Sequence, residues 1–177
     1  MQSAMKGLSL FLVFLLSFGE LAMAFQIKSN SFTSGSEIPI RHTCDGKDFS
    51  PPLEWQDPPP NTKSFALISD DPDAPMGTWI HWVVYDIPGT ASRFEEGIKG
   101  SETLPDGVKQ GVTDFGRPGY GGPCPPPGKP HRYFFKLYAL DTLLNLPPKQ
   151  TKARLLKAMD GHILAEAQTM GYYQRRR

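Results

Sequence analysis

Apolar positions along the chain fall in short runs, most of them too brief for helices. Ser64 to Ser69 (SFALIS) and His81 to Ile87 (HWVVYDI) are near-continuous aliphatic and aromatic stretches. That is the pattern of strands buried on both faces. Phe25 to Phe32 (FQIKSNSF) alternates, as a half-buried strand does. Arg132 to Leu140 (RYFFKLYAL) alternates most clearly and puts Tyr133, Phe135, Leu137 and Ala139 on one side. Ile163 to Tyr173 fits either more helix or a final strand, and the alternation of Ile163, Ala165, Ala167 and Thr169 against Leu164, Glu166, Gln168 and Met170 favours the strand. One segment has helical spacing: Lys149 to Asp160 carries Ala153, Leu155, Leu156 and Met159, begins after Pro147-Pro148 and stops at Gly161. Strands outnumber helices and no βαβ rhythm is present. The expected fold is mostly β, a sandwich of two antiparallel sheets with few short helices.

The N-terminus stands apart from this pattern. Lys6 precedes an apolar run, Leu8 to Phe18, of about 11 residues, too short to span a bilayer. Ala22-Met23-Ala24 follows as a cleavage-site pattern, so residues 1–24 are read as a secretory signal peptide. Residues 25–177 then form a single domain of about 150 residues, enough for its own core. The 17 glycines and 18 prolines cluster between the apolar runs, which gives a β-rich domain long, structured loops. The net charge of +1 points to neither nucleic acid nor stable membrane association. Export would take the two cysteines, Cys44 and Cys124, into an oxidising compartment, where a pair usually bonds. The alternative is two separate thiols.

The candidate chemistry gathers at two strand ends. In DDPDAPMGTWIHW (70–82), Asp71 and Ala74 precede prolines and are biased away from helix, so Asp70 to Pro75 is a turn after a strand. Such a turn aims Asp71 and Asp73 at a fixed place. The plainer reading has them satisfying turn N–H groups. His81 opens the next strand, where a hairpin returns it toward the acids. A second loop, Gly116 to Tyr133, is rich in glycine and proline, and His131 stands where it enters a strand. Its glycine N–H groups suit an anion-binding nest. An Asp–His pair serves as general base, metal shell or cationic anion binder. Trp79 and Trp82 flank His81, one expected in the core and the other beside the pocket.

DPDAP (71–75), His81-Trp82 and GGPCPPPGKPHRY (121–133) resemble the phosphatidylethanolamine-binding protein family, above all its bacterial, Raf-kinase-inhibitor-like branch. CDGKDFSPPLEW (44–55), TDFG (113–116) and GHILAEA (161–167) are similar to that branch too. The resemblance covers essentially the whole of residues 25–177 and implies a β-sandwich with a small pocket for phosphate-like anions and phosphoryl head groups. It implies Asp71, His81 and His131 as pocket residues, Pro75, Trp79, Gly122 and Tyr133 as its lining, and Asp73 as the acid that shapes the turn. It also supports a Cys44–Cys124 disulfide. Soon after Gly171-Tyr172-Tyr173, where animal members carry a further helix, the sequence stops. The likeness therefore bears on the anion pocket more than on phospholipid or kinase recognition.

The acids would repel an anion, so the expected arrangement has them behind the imidazoles, orienting the rings and keeping them positive. The expected function is an exported, non-catalytic binding protein for phosphate or phosphorylated small molecules, in a bacterial periplasm or secreted, that modulates a protein partner in some settings. No cofactor or metal is expected, and no G-x-S-x-G or H-E-x-x-H nucleophile or zinc motif is present. Two alternatives stand beside it. One is a metal-assisted hydrolase using His81, His131 and Asp71. The other is a protease- or kinase-type inhibitor acting through the proline-rich loops at 50–60 and 123–130.

Overall fold

The computed structural model describes residues 24–98 and 100–175. Residues 1–23 of the expected signal peptide lie outside the described residues, as do Arg176 and Arg177. Among the described residues, eight strands form two antiparallel sheets. The smaller sheet has β1 (Gln26–Ser29), β2 (Leu53–Gln56) and β5 (Arg93–Phe94) in the order β1-β2-β5. The larger one contains β3 (Ser64–Asp71), β4 (Trp79–Pro88), β6 (Lys109–Gln110), β7 (His131–Leu140) and β8 (Ile163–Tyr173), in the order β6-β4-β3-β7-β8. Among the described residues one α-helix, α1 (Lys152–Met159), packs on the far face of the larger sheet. Among the described residues no helix is long and apolar enough to cross a membrane.

The strand patterns translate directly into layers. Every residue of β3 is buried, because the small sheet covers one face and α1 the other. Phe65, Leu67, Phe135, Leu137 and Ala139 meet Leu53 and Trp55 between the sheets, while Ala66, Ile68, Val83 and Tyr138 meet Leu155 and Met159 under the helix. The predicted inner face of β7 is therefore the observed one.

Several boundaries differ from expectation. The opening strand stops at Ser29, where Ser29 Oγ turns to the Pro52 carbonyl and accepts the Ser31 N–H. The helix begins three residues late because Lys149 sits at φ +64° with its N–H on the Gln110 carbonyl, leaving Thr151 as the N-cap. Leu156 faces outward, so the buried stripe narrows to Leu155 and Met159. Gly161, at φ +76°, ends the helix as expected and turns the chain into β8.

The larger sheet's order places the C-terminal end of β3 between the N-terminal ends of β4 and β7. Asp71 pairs with Trp79 across β3–β4, and Asp70 pairs with Phe134 across β3–β7. His81 and His131 thus reach the same end of the sheet with β3 between their strands.

Candidate functional site

A cavity of about 280 Å³ opens at that end of the sheet. Its lining includes Asp71, Pro75, Trp79, His81, His131 and Tyr133, six of the residues singled out by sequence. Ala74, Met76, Phe115, Cys124, Pro125 and Pro126 complete it. A second cleft of about 280 Å³ on the small sheet is lined by Gln26, Lys28, Glu54, Trp55, Gln56, Ser92 and Arg93, with no histidine among them.

The strand ends and the 111–126 loop fix both imidazoles. His81 is buried, and its Nδ1 lies 2.6 Å from the Gly121 carbonyl. A carbonyl only accepts, so Nδ1 carries the proton and Nε2 is the nitrogen left for a ligand. The rings of Tyr133 and Phe115 stand edge-on to His81 at 5.1 and 5.3 Å. Burial lowers the His81 pKa, and the Gly121 carbonyl offsets this in part. The expectation of a carboxylate directly behind each ring therefore holds for only one of them, and His81 is held by backbone instead.

His131 is the ring with an acid behind it. Its Nδ1 lies 2.8 Å from Asp71 Oδ2, in a pair whose side chains are 12% and 5% exposed. The other Asp71 oxygen accepts the Asp73 N–H at 2.8 Å and closes the turn. Asp71 thus satisfies a turn N–H and orients a histidine at once, uniting the two readings of the sequence. Tyr133 packs beside it; burial, and then the Asp71 charge, push its phenol pKa well above the ordinary value.

The other two acids of the motif serve elsewhere. Asp73 receives Arg132 Nε at 2.8 Å and Nη2 at 2.7 Å, a bidentate pair, and accepts the Arg132 N–H at 3.0 Å. That guanidinium holds the Asp73 carboxyl down at about 2. The Asp73 side chain thus ties the turn to the start of β7 through arginine, while Asp71 accepts the turn N–H. Asp70 points to the opposite face of the sheet, where Lys136 and Lys152 reach it at 3.0 and 2.6 Å.

Gly122 departs from expectation. It does not line the cavity, and its N–H is donated to Asp48 Oδ1 at 2.6 Å. The Gly121 N–H goes to the His81 carbonyl at 2.9 Å. Neither N–H is left to form the expected anion nest. The glycines are there for close approach: a Cβ on Gly121 would lie 2.4 Å from the Phe115 ring, and one on Gly122 would lie 2.3 Å from the His42 carbonyl oxygen.

Cys44 and Cys124 are joined as a disulfide, which ties the 43–49 loop to the Pro125-Pro126 wall of the cavity. By the chain-entropy account, closing about 80 residues contributes about 4 kcal/mol. The C-terminal strand end holds the same loop, since Tyr173 Oη and Arg175 Nε both donate to Asp45, at 2.8 and 3.0 Å. Arg175 is therefore anchored to the 43–49 loop.

His42 and His162 take no part. His42 is fully buried, with Nδ1 on the Phe49 carbonyl at 2.9 Å, and His162 pairs at the surface with Asp141 at 2.8 Å. Trp82 belongs to the core, with its indole on Gln110 at 2.7 Å, while Trp79 meets Phe115 at the cavity. Sequence reasoning missed Met76, Phe115, Pro125 and Pro126 as lining. The TDFG stretch was the signal for Phe115, and Met76 lies inside the quoted motif itself.

Among the described residues, no group of three or more His, Cys, Asp and Glu side chains is placed to hold a metal ion. Both Asp71 oxygens are engaged, one by His131 and one by the turn, which leaves two imidazoles and no free carboxylate.

The sequence and structure have close relatives. A family profile described as phosphatidylethanolamine-binding protein matches residues 28–174. A UPF0098 protein of Methanothermobacter thermautotrophicus is 51% identical over 149 residues, 84% of this chain and 98% of its own. Another from Aquifex aeolicus is 53% identical over 154 residues, 85% of this chain and 88% of its own. The crystal structure of a phosphatidylethanolamine-binding protein homologue from Chlamydia trachomatis superposes with a TM-score of 0.80 at 42% identity, covering 86% of this chain and 99% of that one.

Proposed function

The chain belongs to the phosphatidylethanolamine-binding protein family, and from that premise we propose that it is an exported, non-catalytic receptor for phosphate or phosphoryl head groups. One observation carries this reading: two imidazoles, each with Nδ1 already engaged, share one small pocket with Nε2 left for a ligand. A cavity of about 280 Å³ suits a head group. Pro75, Met76, Trp79, Phe115 and Pro126 give it apolar walls, the usual surrounding for a few placed polar groups.

The hydrolase alternative is weaker because both oxygens of its carboxylate are already engaged, one by the turn and one by His131. Action on a protein partner is a second part of the proposal. Met76 is 91% exposed and Phe115 39% exposed at the cavity mouth, an apolar rim that a partner would cover. The apolar leader pattern and the Cys44–Cys124 disulfide support export.

The test is calorimetric titration of metal-free protein with inorganic phosphate and phosphoethanolamine, alongside His81→Ala and His131→Ala. Saturable binding by the unaltered protein, lost in both variants, is expected. Binding that returns only when zinc is added would replace this reading with the hydrolase.

A further inference from the structure

The two pocket imidazoles present lone pairs, not donors, whenever they are neutral. His81 Nδ1 must carry its proton to meet the Gly121 carbonyl, and His131 Nδ1 donates to the Asp71 carboxylate. In each neutral ring Nε2 is then an acceptor. Among the described residues, the lining contains no lysine or arginine. Its one described carboxylate, Asp71, adds negative charge, and the Trp79 indole and the Tyr133 phenol offer hydrogen bonds without charge. A fully deprotonated phosphoryl group would meet two lone pairs and an anion.

Resting on the anion-receptor reading, we infer that the pocket takes up its phosphoryl group together with one proton, and so selects phosphate monoesters over sulfate esters of the same shape. The proton sits between a ligand oxygen and an imidazole Nε2, shared by whichever pair holds it, and comes from bulk solvent. A phosphate monoester has a second ionisation near 6, so it brings or acquires that proton close to neutrality. A sulfate ester has no such ionisation and leaves the whole demand on a buried imidazole.

The surroundings reinforce the demand. His81 is faced by Asp71 from β3, Tyr133 from β7, and Asp48 and Asp114 from the flanking loops. Burial outweighs those acids and keeps its pKa low. His131 is faced by Asp71 and Asp73, by Tyr173 opposite it on β8, and by Lys129 and Arg132 in the adjoining groove. Arg132 is committed to Asp73 through both a side nitrogen and a terminal one. Arg117 lies over Phe115 and 3.6 Å from Asp48, outside the lining.

The geometry also gives a way to reverse the effect. In Asp71→Asn the amide oxygen must stay on the Asp73 N–H, so the amide NH₂ faces His131 Nδ1. That ring then takes the other tautomer and offers an Nε2–H without any added proton.

The experiment compares methyl phosphate with methyl sulfate by calorimetry in buffers of different ionisation enthalpy. Near pH 8, uptake of about one proton per methyl phosphate is expected, with affinity falling about tenfold per pH unit above it. Methyl sulfate should bind at least about tenfold more weakly near pH 6.5. Asp71→Asn should take up close to no protons and lose the pH slope. Equal binding of the two esters with no proton uptake would overturn the inference and leave the anion receptor standing. Absence of binding by either ester would overturn both. If Asp71→Asn fails to fold, the proton count on the unaltered protein still decides.

Discussion

Gly122 separates two accounts of the site, since it was expected to touch ligand and is instead packed behind the pocket. In Gly122→Ala the new Cβ would lie 2.3 Å from the His42 carbonyl oxygen, 2.5 Å from Asp48 Oδ1 and 2.9 Å from Thr43 Cα. Two of the three are backbone atoms. They cannot retreat easily, because Tyr120 Oη holds the His42 carbonyl at 2.9 Å and the Cys44 N–H holds the Pro123 carbonyl at 3.1 Å. The disulfide pins the same segment. Overpacking of this kind costs about 1–3 kcal/mol. Disturbing the 2.6 Å bond from the Gly122 N–H to the Asp48 carboxylate adds about 1.5–3 kcal/mol. The sum, about 2.5–6 kcal/mol, lowers Tm by roughly 8–18 °C in a domain of this size, at about 3 °C per kcal/mol. Thermal and urea unfolding read both quantities. A variant that keeps its Tm within about 2 °C yet loses phosphate binding would refute the packing role and return Gly122 to the ligand.

Asp70→Ala should cost about 3 kcal/mol in urea unfolding, because it leaves Lys136 and Lys152 unpaired beside the core, yet phosphate binding should persist. Loss of binding in that variant would contradict the assignment of Asp70 to the opposite face from Asp71. His42 and His81 both have pKa values lowered by burial from 6.5, so the unfolded chain binds their protons first. Stability should therefore fall as pH drops below 6.5, and a urea midpoint flat across that range would count against two buried neutral rings. The Asp73 carboxyl, held at about 2 by Arg132, contributes stability above its ordinary 3.8 that is lost as pH falls toward 2. Arg132→Gln should move its titration up toward 3.8 by NMR, and an unmoved titration would remove arginine as the cause.

Much of the fold was legible because its signals are local. Alternation in β7 gave its inner face, and unbroken apolar runs announced β3 and β4 as buried on both sides. The acids and histidines at strand ends were legible as a group, since a hairpin and a shared sheet end leave them few other places to go. Their partners were not. His81 is oriented by a backbone carbonyl, which carries no side-chain signature. Asp73 chose Arg132, an adjacent cation whose guanidinium fits a carboxylate bidentately, over a histidine. The glycine loop was read for its N–H groups, but the His81 carbonyl and Asp48 already occupy those of Gly121 and Gly122. Asp48 comes from a loop far away in sequence, so nothing near Gly122 announces it.

The four histidines make the central claim measurable in one experiment: long-range ¹H–¹⁵N spectra of the imidazoles during a phosphate titration. His81 and His131 should shift together and saturably at Nε2, with Nδ1 remaining protonated. His42, sealed in the interior, and His162, paired with Asp141 at the surface, should stay still. A titration in which neither His81 nor His131 responds, or in which surface His162 moves as much as they do, would contradict an anion receptor built on the two pocket imidazoles.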